Sequence, residues 1–372
     1  MKYLLCLIIL IPTSVVFSQE HPNPETLKPG LKAPDFNLPG IDGKNYTLDF
    51  FSDAKILVMI FSAVHCPTAQ AYEARIVKIQ DDYRNEGVQV VMISPNAPNS
   101  VCLEERGYTD LGDSFEEMKI RAKDKDFNFP FLYDGDTEEM SIKYGPVATP
   151  HTFIFDEARK LRYVGRIDDS EKIGAAKIHD ARNAIEAILA GREVEVKQTK
   201  VFGCSIKWKW KDGYRKRLDA EWVKKEIPLE ELDLEGLKKL LKNKSDNLLV
   251  VNLWATWCGP CIVEIPDFVD TYRMFQGRDF KMVTISTDKL SIKDKVHQFL
   301  KDKHAAITNN YIFGDDNKYE LIEAIDPEWQ GQIPYTLIIE PGGKVYYRHP
   351  GGIMPLTLRK KIVEHPLIGR YF

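Results

Sequence analysis

Two stretches of this chain share one pattern: an unbroken apolar run, a short turn carrying cysteine, then apolar residues at helical spacing. In the first, Ile56 to Phe61 reads as a buried strand and Cys66 heads a long helix. In the second, Leu248, Leu249, Val250 and Val251 form the strand, and Ile262, Ile265 and Phe268 share one face of the helix after Cys258. The segments KILVMIFSAVHCPTA and NLLVVNLWATWCGPC align without a gap, placing Cys66 opposite Cys258 and Ala69 opposite Cys261. Further on, ATPHTFIFDEARKLRYVG matches QIPYTLIIEPGGKVYYRHPG, with Thr149-Pro150 opposite Ile333-Pro334. Self-similarity of this kind predicts two copies of one fold. Each copy reads as strand, helix, strand, helix, hairpin and helix, an α/β arrangement of helices on a central mixed sheet.

The same patterning suggests boundaries. Residues 19–30 are polar and proline-rich, and KAPDFNLPGIDGKNYTLDFF alternates around a glycine turn, which predicts an opening hairpin. The first domain is expected over 29–200, with Val88 to Ser94 as its next strand, and the second over 228–372, opened by an amphipathic helix in IPLEELDLEGLKKLLKNKSDN. Between them, 201–227 carries Lys207, Lys209, Lys211, Arg215, Lys216 and Arg217 interleaved with Trp208 and Trp210. Alternating Lys and Trp reads as an edge strand followed by a basic, solvated linker.

Composition changes this picture little. At 372 residues and 44% hydrophobic content the chain can build two substantial cores, and a net charge of −4 gives no reason to expect nucleic acid as a partner. The N-terminus matters more. Met1-Lys2 followed by YLLCLIILIPTSVVF has the basic head and short apolar body of an export signal over 1–18, or of an uncleaved anchor. Removal of Cys6 with the signal leaves five cysteines, an odd number, in an oxidising compartment.

The chemistry concentrates at Cys258 and Cys261. A cysteine at a helix start faces free backbone N–H groups and the positive end of the helix dipole, both of which favour its thiolate. Cys261, three residues on, lies on the same face and can attack a mixed disulfide formed on Cys258. The redox-active disulfide Cys258–Cys261 needs no further cofactor, and no second CxxC or HxxxH exists to complete a metal site.

Trp257-Cys258-Gly259-Pro260-Cys261 resembles the thioredoxin active site, and NLWATWCGPC with Glu264 and Pro266 resembles the TlpA/ResA branch of envelope thiol-disulfide oxidoreductases. A Gly-Pro pair between the cysteines accompanies a reducing potential of about −270 mV in thioredoxin. The resemblance implies two tandem thioredoxin-like domains. It places Ile333 and a cis Pro334, together with Trp257, Gly259 and Pro260, against a bound peptide, and assigns Thr149 and Pro150 the same place in the first copy. The buried acid that thioredoxins carry six residues before the first cysteine is Asn252 here, so Glu264 is the carboxylate expected to tune Cys261. Residues 29 to 209, with HCPTAQAYEARI and FGCSIKWK, resemble AhpC/TSA-type redoxins. The peroxiredoxin Pro-x-x-x-Thr-x-x-Cys signature is absent, since Met59 and Ala63 fill the Pro and Thr positions. Cys66, next to His65, is either a nucleophile whose resolving thiol is remote, Cys204 or Cys102, or a packing residue.

The leading expectation is an exported thiol-disulfide oxidoreductase of the periplasm or envelope. It would reduce or isomerise disulfides in envelope proteins and be recycled by a membrane-embedded electron donor. One alternative is a peroxide-reducing relay, with Cys66 oxidised and the CGPC domain as reductant. The other makes the first domain a client-binding or scaffold module.

Overall fold

The computed structural model describes residues 23–314 and 317–369. The expected export signal and Cys6 lie outside them. Among the described residues no helix is long and apolar enough to cross a membrane.

The first domain runs β1 (Asn37–Pro39), β2 (Asn45–Thr47), β3 (Ile56–Phe61), α1 (Pro67–Tyr83), β4 (Val88–Ser94), α2 (Phe115–Asp124), β5 (Phe131–Tyr133), α3 (Glu139–Tyr144), β6 (Ala148–Thr149), β7 (His151–Phe155), β8 (Leu161–Gly165), α4 (Asp180–Leu189) and β9 (Cys204–Ser205). Its main sheet has the order β5-β4-β3-β7-β8, with β3 parallel to β4 and antiparallel to β7. Successive strand residues face opposite sides. Thus Ile56, Val58 and Ile60 enter the core beneath α1, α2 and α4, while Leu57, Met59 and Phe61 enter the core with α3 and the opening hairpin. Each side chain so buried contributes about 1.5–3 kcal/mol. This two-sided burial is why β3 reads as a continuous apolar run.

After α5 (Asp212–Trp222), the second domain runs β10 (Glu230–Leu232), α6 (Leu234–Leu241), β11 (Leu248–Trp254), α7 (Gly259–Phe275), β12 (Phe280–Ser286), α8 (Lys293–Asp302), β13 (Asn309–Phe313), α9 (Lys318–Ile325), β14 (Tyr335–Ile339), β15 (Val345–Pro350) and α10 (Pro355–Val363). Its sheet order β10-β13-β12-β11-β14-β15 repeats the mixed arrangement around β11, with β10 added at one edge. On β11, Leu249, Val251 and Leu253 face one core; Val250 and Trp254 face the other, and Asn252 shares their side of the strand.

Residues 201–227 are largely solvent-facing as expected, but they depart from the expected edge strand and unstructured connector. Only Cys204 and Ser205 pair as strand, and a turn of 3₁₀ helix over Lys209–Lys211 then leads into α5. The reason lies in tertiary partners. Lys207 N–H donates to Asn96 Oδ1 at 2.9 Å and its carbonyl accepts from Ala97 N–H at 2.9 Å, while Lys209 N–H donates to Glu138 at 2.7 Å. Trp208 is buried and stacks on Trp210 at 4.9 Å between ring centres. At its far end α5 puts Trp222 into the second core, where Nε1 donates to the His304 carbonyl at 3.0 Å. The segment is therefore shared masonry between the two domains.

The domains also meet directly. Arg273, near the end of α7, joins Glu104 of the first domain at 2.9 Å and Asp219 of α5 at 2.7 Å. Arg278 donates to the Gly107 carbonyl at 2.8 Å and its guanidinium lies 3.9 Å from the Tyr108 ring centre. A side chain at Gly107 would stand 3.0 Å from the Met274 carbonyl, so glycine permits this approach.

Candidate active site

Cys258 is the N-cap of α7 in an extended backbone conformation, and its Sγ accepts from the Cys261 N–H at 3.3 Å. Gly259 and Pro260 make the first turn, which suits a proline because its missing N–H has no helical partner there. The turn ahead of it is tied down by Asp288, which accepts from Thr256 N–H and Oγ1, each at 2.9 Å. Cys258 and Cys261 are joined as a disulfide. Both are buried, Cys258 at 5% exposure and Cys261 at none, so what exposure the pair has belongs to Cys258. Beside it Trp257 is 70% exposed. The Ile333-Pro334 bond is cis, and Ile333 packs against the core that contains both sulfurs.

Glu264 lies one turn beyond Cys261 on α7, which continues through Pro266. It is 4% exposed. Asn252 Nδ2 donates to one carboxylate oxygen at 2.8 Å and Ile353 N–H to the other at 3.1 Å. Burial outweighs these two bonds and pushes the carboxyl up to about 7. Asn252 was visible as a departure from the thioredoxin pattern and Glu264 as a match to the TlpA/ResA pattern; that they bond to each other follows from the register of β11 against α7.

In the first domain Cys66 caps α1 as Cys258 caps α7, accepting from the Ala69 N–H at 3.4 Å. It is fully buried, and its Sγ lies 3.2 Å from the carbonyl oxygen of Thr149. The Thr149-Pro150 bond is cis. However, the backbone edge that the resemblance offers to a bound peptide is occupied by the chain itself: Thr149 pairs with Cys204 and Ala148 with Ser205. Gly203 makes this possible. At φ +149° any side chain there would sit 2.0 Å from the Thr149 carbonyl. The pairing brings the Cys204 thiol against Cys66. Cys102, the other candidate partner, begins the short turn that docks on the second domain, and burial with Glu105 and Glu104 nearby pushes its thiol up to about 11.

A buried polar network, absent from the sequence reading, flanks Cys66. His65 Nδ1 is 2.6 Å from Asp113, whose other oxygen accepts from His65 N–H at 3.0 Å, and Asn96 Nδ2 donates to Asp113 at 2.7 Å. Asn96 Oδ1 in turn holds Lys207, three residues past Cys204. Burial alone would lower the imidazole, but the Asp113 charge overrides it and raises His65. Burial would likewise raise Asp113, yet the imidazolium and its hydrogen bonds hold it at about 2. Cys66 is drawn below the usual thiol value against the cost of its burial, by the Cys204 hydrogen bond, the His65 charge and the Ala69 N–H. The signal available in sequence was the bare adjacency of His65 to Cys66.

The two cysteine centres are far apart. A cavity of about 460 Å³ between the domains is lined by His65 and Cys204 together with Met274, Gly277 and Arg278, which lie at the C-terminal end of α7 and just beyond it. Cys258 is at the other end of that helix, about 25 Å away along 17 residues at 1.5 Å each. Among the described residues no cluster of three or more His, Cys, Asp or Glu could hold a metal ion.

The fold and these sites define a tandem of thioredoxin-like α/β domains, each with a cysteine at the mouth of the helix after its central strand. The AhpC/TSA family matches at residues 29–164 and 223–348, and the chain belongs to that family. The thiol-disulfide oxidoreductase ResA of Bacillus subtilis (strain 168) is 27% identical over 113 residues, 30% of this chain and 58% of the relative. The ResA of Bacillus thuringiensis (strain Al Hakam) is 28% identical over 116 residues, 30% of this chain and 60% of the relative. The chain thus spans a little under two thirds of the length of these relatives. Among solved structures, a hypothetical protein of Sinorhizobium meliloti 1021 is 30% identical, aligned over 50% of this chain and 96% of its own, with a TM-score of 0.44.

Proposed function

We propose that this protein is a thiol-disulfide oxidoreductase that reduces or isomerises disulfides through Cys258 and Cys261. The observation that carries the reading is a cysteine pair at a helix mouth, joined as a disulfide, in which Cys258 keeps a small exposed surface and Cys261 none, with a buried carboxyl of near-neutral pKa one turn further on. The Cys258 thiolate attacks a client disulfide, one client thiolate leaves, and a mixed disulfide remains on Cys258. Glu264 takes the proton of Cys261, which attacks Cys258 Sγ, releases the second client thiol and closes the Cys258–Cys261 bond. Trp257 and the Ile333-Pro334 edge receive the client backbone. Electrons return from an outside dithiol, for which we propose a membrane-embedded donor, and the apolar N-terminus of the sequence supports export to the envelope.

The test is client trapping. A Cys261→Ser chain, produced in the envelope of a bacterial host, accumulates mixed disulfides on Cys258 that dithiothreitol releases, and Cys258→Ser accumulates none. Equal yields from the two variants would overturn the reading.

A further inference from the structure

The first domain holds a second pair of thiols that the CGPC chemistry does not use. We propose that Cys66 and Cys204 form a separate redox couple, serving low-molecular-weight thiols and disulfides that reach it through the cavity between the domains.

Three observations carry this. The β6–β9 pairing sets the Cys204 thiol against Cys66, with both backbones anchored, Cys66 by the start of α1 and Cys204 by Thr149. The same pairing fills the edge along which an extended client would bind, so a protein disulfide has no strand to lie against. What remains open is the 460 Å³ cavity, within the size range of small-molecule sites, which Cys204 lines and Cys66 does not, and where Met274, Gly277 and Arg278 form the far wall. The second domain thus acts as a size filter over the first domain's centre.

The chemistry balances without a further co-reactant. Cys204 gives its proton to solvent and attacks a small disulfide RSSR; RS⁻ leaves and is protonated by solvent. Cys66, the thiolate beside His65 and the α1 N-terminus, attacks Cys204 Sγ, and the second RS⁻ leaves and is likewise protonated by solvent. One disulfide has been reduced to two thiols and the Cys66–Cys204 bond has formed. In the reverse direction an incoming thiolate attacks the Cys204 sulfur and expels Cys66, the more stable thiolate and hence the better leaving group.

The experiment uses the full chain carrying Cys258→Ser and Cys261→Ser, so that its outcome is independent of the CGPC reading. The reduced protein is treated with 2-hydroxyethyl disulfide near pH 7, quenched with iodoacetamide and mapped by mass spectrometry. The expected product is a Cys66–Cys204 cross-linked peptide pair with Cys102 still alkylated. Adding Cys66→Ser to this chain should leave a hydroxyethylthio adduct on Cys204. Cys66 and Cys204 both remaining alkylatable, or Cys66 linked to Cys102, overturns the couple. Insulin at equal disulfide concentration should form the cross-link at least about tenfold more slowly, because exchange rate follows access to the sulfur. Equal rates overturn the size filter.

Discussion

Glu264 accepts a 2.8 Å hydrogen bond from Asn252, so the carboxyl one turn past the CGPC pair hangs from the helix and is steadied by the strand position where thioredoxins carry the acid itself. Folded, this carboxyl holds its proton up to about 7, against 4.5 for an ordinary glutamate. The folded state therefore binds more protons between those values, and stability falls as pH rises across that window by on the order of 3 kcal/mol. Glu264→Gln should flatten this slope and remove an inflection near pH 7 from the rate of disulfide exchange. Urea unfolding of the oxidised protein at pH 5 and pH 8 reads the first effect; a variant with the parent's full slope would exclude Glu264 as its source.

Gly203 is the residue on which the closed edge of the first domain depends. Gly203→Ala forces a side chain toward the Thr149 carbonyl and must lift β9 away. Strain of this kind costs about 1–3 kcal/mol. Cys204 should then alkylate faster while Cys258 and Cys261 exchange at the parent rate. Timed iodoacetamide labelling followed by peptide mapping measures both, and an unaltered Cys204 rate would mean that β9 stays in place.

His65 and Asp113 meet at 2.6 Å in the buried interior and form an ion pair whenever the imidazole is protonated. Asp113 lies below its ordinary value of 3.8, so its stabilising contribution is complete above about pH 4 and is lost as pH falls toward 2. His65 is raised, so its contribution is complete below pH 6.5 and fades as pH climbs through its raised value. Asp113→Asn strands the imidazole and should cost about 3–5 kcal/mol. It should also raise the Cys66 pKa, read from thiolate absorbance in the Cys258→Ser/Cys261→Ser chain. An unmoved titration would show that His65 does not act on Cys66.

Arg273 links Glu104 and Asp219, tying α7 to both the first domain and α5. Arg273→Ala removes charge-assisted bonds of about 1.5–3 kcal/mol each and loosens the interface. Thermal unfolding should broaden or split into two transitions, and Cys204 should become easier to alkylate. A single unchanged transition would place the strength of the interface elsewhere, in contacts such as Arg278 with Gly107.

Much of this protein was legible in its residues alone. Burial on both faces makes β3 and β11 continuous apolar runs, and a helix after a tight turn places Cys66 and Cys258 at its mouth, so the duplication, the α/β class and the CGPC centre follow from patterns within a few tens of residues. What periodicity cannot say is which distant element covers a given face. His65 finds Asp113 across 48 residues, and Cys66 reaches Thr149 across 83. The Lys–Trp alternation that promised an edge strand became two paired residues, a turn and a helix, because Asn96, Glu138 and Thr149 were waiting with unpaired backbone or side-chain groups. A local pattern records whether a residue is buried; only the packed chain decides against what, since that choice is made by partners competing for the same hydrogen bonds and the same space.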